Sequence, residues 1–196
     1  EKTGATCVWV LGHSEGALVA LTAGQTEADI CGLVLVAAPG RPLGEVLREQ
    51  FVSNPANAPI LDEALSAISA LEAGRRPDAA SMHPALRPVF DPKVQDFLLD
   101  AFAIDPARLI ASCRKPILIV QGERDLQTSV DDAERLKAAA PEAELVLLPD
   151  VNHVLKAVDS ADRAANASTY ADPNLPLAPG VVEAIARFVA GVLENR

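Results

Sequence analysis

Five consecutive residues, Gly12-His13-Ser14-Glu15-Gly16, have the form G-x-S-x-G. They separate the apolar run Cys7-Val8-Trp9-Val10-Leu11 from a stretch in which Ala17, Leu18, Ala20, Leu21 and Gly24 recur at helical spacing. A serine on so sharp a strand-to-helix turn is held in a strained backbone conformation, with its hydroxyl exposed at the positive end of the helix. Flanking glycines let neighbouring backbone pass without a Cβ clash. The pattern is therefore read as a nucleophile elbow, not as a glycine-rich turn with an incidental serine. The backbone N–H of Glu15, directly after the serine, is the group that would receive a developing oxyanion. The side chain of Glu15 suits the first turn of a helix, with a contact to substrate as the alternative.

A serine hydroxyl is a weak nucleophile on its own and needs a general base, which in turn needs a third group to fix its tautomer. The chain has three histidines. His13 lies inside the elbow, where adjacency to the nucleophile turns the side chain away, and reads as packing. His83 sits beside Pro84 in a proline-rich stretch and reads as a surface or cap contact. His153 follows the last apolar run, at the same edge from which Ser14 emerges, and is the candidate base. The candidate acid is Asp125, in Gly122-Glu123-Arg124-Asp125 after the run Pro116-Ile117-Leu118-Ile119-Val120. Asp150, Asp131 and Asp132 compete with it. Asp150 reads as shaping the loop before His153, and the other two as helix-start carboxylates.

These residues require strands whose carboxyl ends share one edge. Four short apolar runs, 7–11, 33–37, 116–120 and 145–148, alternate with helical periods, which gives an α/β fold with a mostly parallel sheet of about four strands. The helix after Asp125 opens with Ser129-x-x-Asp132, a capping pattern, and Val182, Ile185, Ala186, Val189 and Leu193 mark a closing amphipathic helix. Residues 41–115 carry four helical periods and no convincing strand. They are too long for a simple crossover and read as a helical cap or lid inserted into a core of residues 1–40 and 116–196.

With Gly12-His13-Ser14-Glu15-Gly16, Gly122-Glu123-Arg124-Asp125 and Asn152-His153 in that order, the sequence resembles the α/β-hydrolase superfamily. The likeness is strongest to its capped serine ester hydrolases and the related serine aminopeptidase-like branch, and it covers nearly the whole chain. It implies Ser14 as nucleophile, Asp125 as acid, His153 as base, and the helical insertion as a cap over an acyl pocket. In that family several strands precede the elbow strand, and their loop supplies a second oxyanion donor. Here only about six residues do, so the chain is expected to match the C-terminal part of the fold. The elbow strand should then form an open edge, completed by a missing N-terminal segment or by a second copy of the chain.

Composition narrows the partners. The 196 residues are 49% hydrophobic, enough to bury a core, and 27 acidic against 17 basic side chains leave a formal net charge of −10. That charge excludes nucleic acid and anionic membrane as partners, and no apolar run reaches the ~20 residues of a membrane span. Scattered histidines argue against a metal, and no cofactor is expected. The absence of G-x-G-x-x-G and G-x-x-x-x-G-K-[ST] sets aside nucleotide binding. Cys7, Cys31 and Cys113 form no metal spacing. Cys7 and Cys31 read as core thiols, and the set suggests a reducing, cytoplasmic setting. The function expected is carboxylesterase-type hydrolysis of small or medium acyl esters through an acyl-enzyme on Ser14. Two alternatives stand beside it: a thioesterase or peptidase using the same triad, and a catalytically impaired fragment acting as an assembly or binding module.

Overall fold

The computed structural model describes residues 5–160 and 162–194. Its elements, in chain order, begin with β1 (Val8–His13), α1 (Glu15–Thr26) and β2 (Ile30–Val36). The helices α2 (Leu43–Ser53), α3 (Leu61–Glu72), α4 (Pro92–Phe102) and α5 (Pro106–Ser112) follow. The chain then forms β3 (Ile117–Gly122), α6 (Val130–Ala139), β4 (Glu144–Leu148), α7 (Arg163–Ser168) and α8 (Val181–Glu194). The four strands form one sheet in the order β1-β2-β3-β4, and every neighbouring pair is parallel. The fold is thus a parallel α/β core, four strands with flanking helices, as the alternation of apolar runs and helical periods predicts.

Alternation along the central strands builds the core. Leu33 and Leu35 of β2 with Ile117 and Ile119 of β3 face Ala17 and Leu21 of α1, Ile110 of α5 and Leu136 of α6. On the opposite face Val34, Val36, Leu118 and Val120 meet Ile185 and Phe188 of α8. Both central strands are buried along their whole length, as an unbroken apolar run requires in a parallel sheet covered on both sides. Strand β1 differs. It reads as equally apolar, yet Val8 is 56% and Leu11 52% exposed, because among the described residues β1 pairs only with β2 and is an edge. Trp9 still packs inward, edge-on to Phe188. Helix α6 opens with the expected capping box between Ser129 and Asp132.

One expectation needs correction. Cys7 and Cys31 are joined in a disulfide, with Cα atoms 5.3 Å apart, and only Cys113 is free. The pairing of Val8 with Ile30 across neighbouring strands brings the two flanking cysteines side by side. That bond removes the ground on which a reducing, cytoplasmic setting was expected. The chain divides into a core unit, residues 1–40 and 106–196, and a helical unit, residues 41–105, with α5 in the core unit. The reason is burial: Ile110 belongs to the sheet-facing core, and Gln25 of α1 donates to the Leu109 carbonyl at 3.0 Å.

The helical unit holds α2, α3 and α4. Its interior includes Val46, Ala64, Ile68, Leu71, Leu86, Phe90 and Leu98. Buried Gln95 ties the irregular stretch to α4 by donating to the carbonyls of Pro77 and Phe90. Among the described residues, no helix is long and apolar enough to cross a membrane.

Candidate active site

Ser14 stands between the end of β1 and the start of α1 with φ 55° and ψ −126°. This is a left-handed conformation that a non-glycine residue adopts at a cost of about 1–3 kcal/mol. Its N–H donates to the Val36 carbonyl of the next strand at 2.8 Å, and its hydroxyl makes no capping bond to α1. The two glycines of the motif have different roles. A Cβ on Gly12 would lie 2.3 Å from the Gly16 carbonyl oxygen, whereas one on Gly16 would meet nothing within 4 Å. Gly12 is thus demanded by the tightness of the turn, and Gly16 is not. Glu15 is the first residue of α1, so its N–H has no partner within the helix. Partial burial pushes its carboxyl above the ordinary glutamate range.

Asp125 follows β3 and His153 follows β4, both at the edge where Ser14 ends β1. Helices fill the connections between these parallel strands, so each strand's exit loop opens at the same end of the sheet. His153 Nδ1–H donates to Asp125 Oδ2 at 2.8 Å, and the two side chains are only 4% and 1% exposed. The carboxylate is held from several further directions. Oδ1 accepts from the N–H groups of Gln127 and Thr128, and Oδ2 accepts from Thr128 Oγ1 and Gln121 Nε2. Such an acceptor orients the imidazole and favours a proton on Nδ1.

His13, expected only to pack, does more. Its Nε2–H donates to the His153 carbonyl at 2.7 Å, and the two rings lie 4.8 Å apart, which ties the residue before Ser14 to the loop that carries His153. His83 lies in the helical unit, where its N–H donates to Glu63. The competing carboxylates have structural roles. Asp132 is buried and bonded to Ser129 and the Gly40 N–H. Asp150 pairs with Arg124 at 3.1 Å, and Asp131 lies in the first turn of α6.

Strain gathers at this edge. Among the described residues, the non-glycine residues with positive φ are Ser14, Ala37, Asp150 and Leu155. Ala37 follows β2, and Asp150 and Leu155 bracket His153. Sequence reasoning missed Thr128 and Gln121. The first had a signal, an aspartate whose side chain caps the turn three residues on. The second is a polar residue closing an otherwise apolar strand. The phenol of Tyr170, to which Gln127 Nε2 donates, is pushed up by burial, against the effect of that hydrogen bond. Among the described residues, no cluster of histidine, cysteine or carboxylate side chains could hold a metal ion.

A parallel sheet with a strained serine at the first strand-to-helix turn and a buried Asp–His pair after later strands defines the α/β class whose sites lie at the strand ends. The alpha/beta hydrolase family model matches residues 2–167, and the chain belongs to that family. It is 27% identical over 161 residues to the esterase EstD of Thermotoga maritima, covering 79% of this chain and 37% of that protein. The chain therefore spans little more than a third of that relative's length. Its fold is similar to that of a Mycobacterium tuberculosis protein assigned as non-heme bromoperoxidase BpoC, with TM-score 0.51 and 18% identity, over 94% of this chain and 67% of that one.

Proposed function

We propose that the chain carries the catalytic edge of a serine hydrolase of carboxylesterase type, acting on small or medium acyl esters. The observation that carries the reading is the buried 2.8 Å bond between Asp125 and His153 at the sheet edge where Ser14 is held in a strained turn. In this reading Ser14 Oγ attacks the acyl carbonyl carbon while His153 Nε2 takes the hydroxyl proton. The oxyanion is received by the Glu15 N–H at the positive end of α1. His153 returns the proton to the leaving alcohol oxygen as the ester C–O bond breaks, which leaves an acyl-enzyme. Water, deprotonated by the same imidazole, then releases the acid and restores Ser14. Asp125 stabilises the imidazolium formed in each half. The name of the Thermotoga relative favours an ester over a thioester or amide.

The open edge of β1 favours one addition: a strand along β1, from a further segment of the polypeptide or a second copy, completes the sheet, and in the first case its loop would bring a second oxyanion donor. Without that donor, turnover is expected to be about 10²–10³-fold slower. Hydrolysis of nitrophenyl esters of increasing acyl length, alongside a thioester and an anilide, tests the reading against Ser14→Ala. Turnover of short esters that vanishes in Ser14→Ala supports it. Turnover unaffected by Ser14→Ala overturns it.

A further inference from the structure

Three buried or half-buried polar side chains that no part of the triad uses lie directly behind the base. Asn152 and Asn166 are 1% and 3% exposed, and every polar atom of both side chains is satisfied within the protein. Asn166 Nδ2 donates to the Arg124 carbonyl at 2.7 Å, and its Oδ1 accepts from Asn152 Nδ2 at 3.2 Å. Asn152 Nδ2 also donates to Thr169 Oγ1 at 2.7 Å, whose own hydrogen goes to the Asn166 carbonyl at 2.8 Å. Asn152 Oδ1 accepts from the Lys156 N–H at 2.9 Å and so closes the loop on itself.

The register of these contacts gives them meaning. Arg124 immediately precedes Asp125, and Asn152 immediately precedes His153. The α7 segment, which follows all three triad candidates in the chain, therefore clamps together the two loops whose side chains form the Asp–His bond. The loop strain at Asp150 and Leu155 needs such a constraint to persist. An amide buried without partners costs more than an apolar residue, so a network in which each polar atom is bonded favours one arrangement.

We infer that Asn166 and Thr169, acting through Asn152, are positioning residues that hold His153 in register with Asp125. The inference rests on the triad reading for its catalytic meaning, and its structural part can be tested separately. Asn166→Leu and Thr169→Val remove the bonds with little change of size, and Thr169→Ser keeps the hydroxyl. A proton NMR spectrum reports the His153 Nδ1–H as a far-downfield, slowly exchanging signal when it is bonded to a buried carboxylate. The expected result is its loss or broadening in Asn166→Leu and Thr169→Val, and its retention in Thr169→Ser, with circular dichroism showing all three folded.

In activity, misplacement of the base by about 1 Å lowers kcat per folded protein by up to about 10²-fold. KM is expected to change little, a split that loss of substrate binding would not give. Thr169→Ser is expected to retain activity within a few-fold. An unaltered signal in Thr169→Val overturns the inference whatever the activity, as does the absence of that signal in the unsubstituted protein. A signal that responds as expected, in a protein whose turnover does not depend on Ser14, instead overturns the triad reading and leaves the positioning result standing.

Discussion

Replacing Ser14 by glycine separates strain from chemistry. Ser14 is held at φ 55°, ψ −126°, and its hydroxyl contributes no cap to α1. Ser14→Ala removes the nucleophile and keeps the Cβ, hence the strain. Ser14→Gly removes both. The strain is worth about 1–3 kcal/mol, and the greater freedom of glycine in the unfolded chain offsets about 0.5–1 kcal/mol of that gain. The glycine variant should therefore be up to about 2.5 kcal/mol more stable than the alanine variant. For a chain of this length each kcal/mol moves Tm by about 2–4 °C, so the difference is up to about 10 °C. Thermal unfolding followed by circular dichroism, with both variants measured side by side, reads it directly. Both should lose ester hydrolysis by several orders of magnitude. A Tm for Ser14→Gly below that of Ser14→Ala refutes the claim that the elbow stores strain for the sake of its serine.

Other perturbations discriminate among parts of the account. Gly12→Ala places a Cβ 2.3 Å from the Gly16 carbonyl oxygen and should cost about 1–3 kcal/mol, whereas Gly16→Ala meets nothing and should gain up to about 1 kcal/mol as a better helix former. Urea unfolding of the two variants checks the asymmetry. Asp125→Asn keeps the side chain's shape but lets its amide face the imidazole, so kcat should fall about 10⁴-fold with the fold intact. Steady-state kinetics with circular dichroism as control measures it. Cys7 and Cys31 are 24 residues apart in sequence, and their bond closes a loop worth about 3 kcal/mol in the chain-entropy model. Cys7→Ala or reduction should lower Tm by about 6–12 °C, seen in a thermal melt with and without reductant.

Much of this edge was legible from residue types alone. The elbow has a backbone requirement that only certain residues meet, and Gly12 is the one the turn demands. Asp125 and His153 could be placed because each follows an apolar run of strand length, and the parallel topology then puts both loops at one end. The capping pattern at Ser129 and Asp132 was equally local. What escaped depends on tertiary neighbours. The exposure of Val8 and Leu11 follows from the place of β1 at the end of the described sheet, which periodicity within the strand does not reveal. The Cys7–Cys31 bond follows from the register of β1 on β2. Asn166 and Thr169 lie on a segment with no motif of its own, and they matter only because that segment packs behind residues 124 and 152.

The most direct test of the central claim is labelling of the purified protein with a fluorophosphonate, followed by peptide mapping. An assembled Ser14, Asp125 and His153 predicts a single adduct on Ser14, absent in Ser14→Ala and strongly slowed in His153→Ala. Labelling at another residue, or none at all on the folded protein, contradicts it.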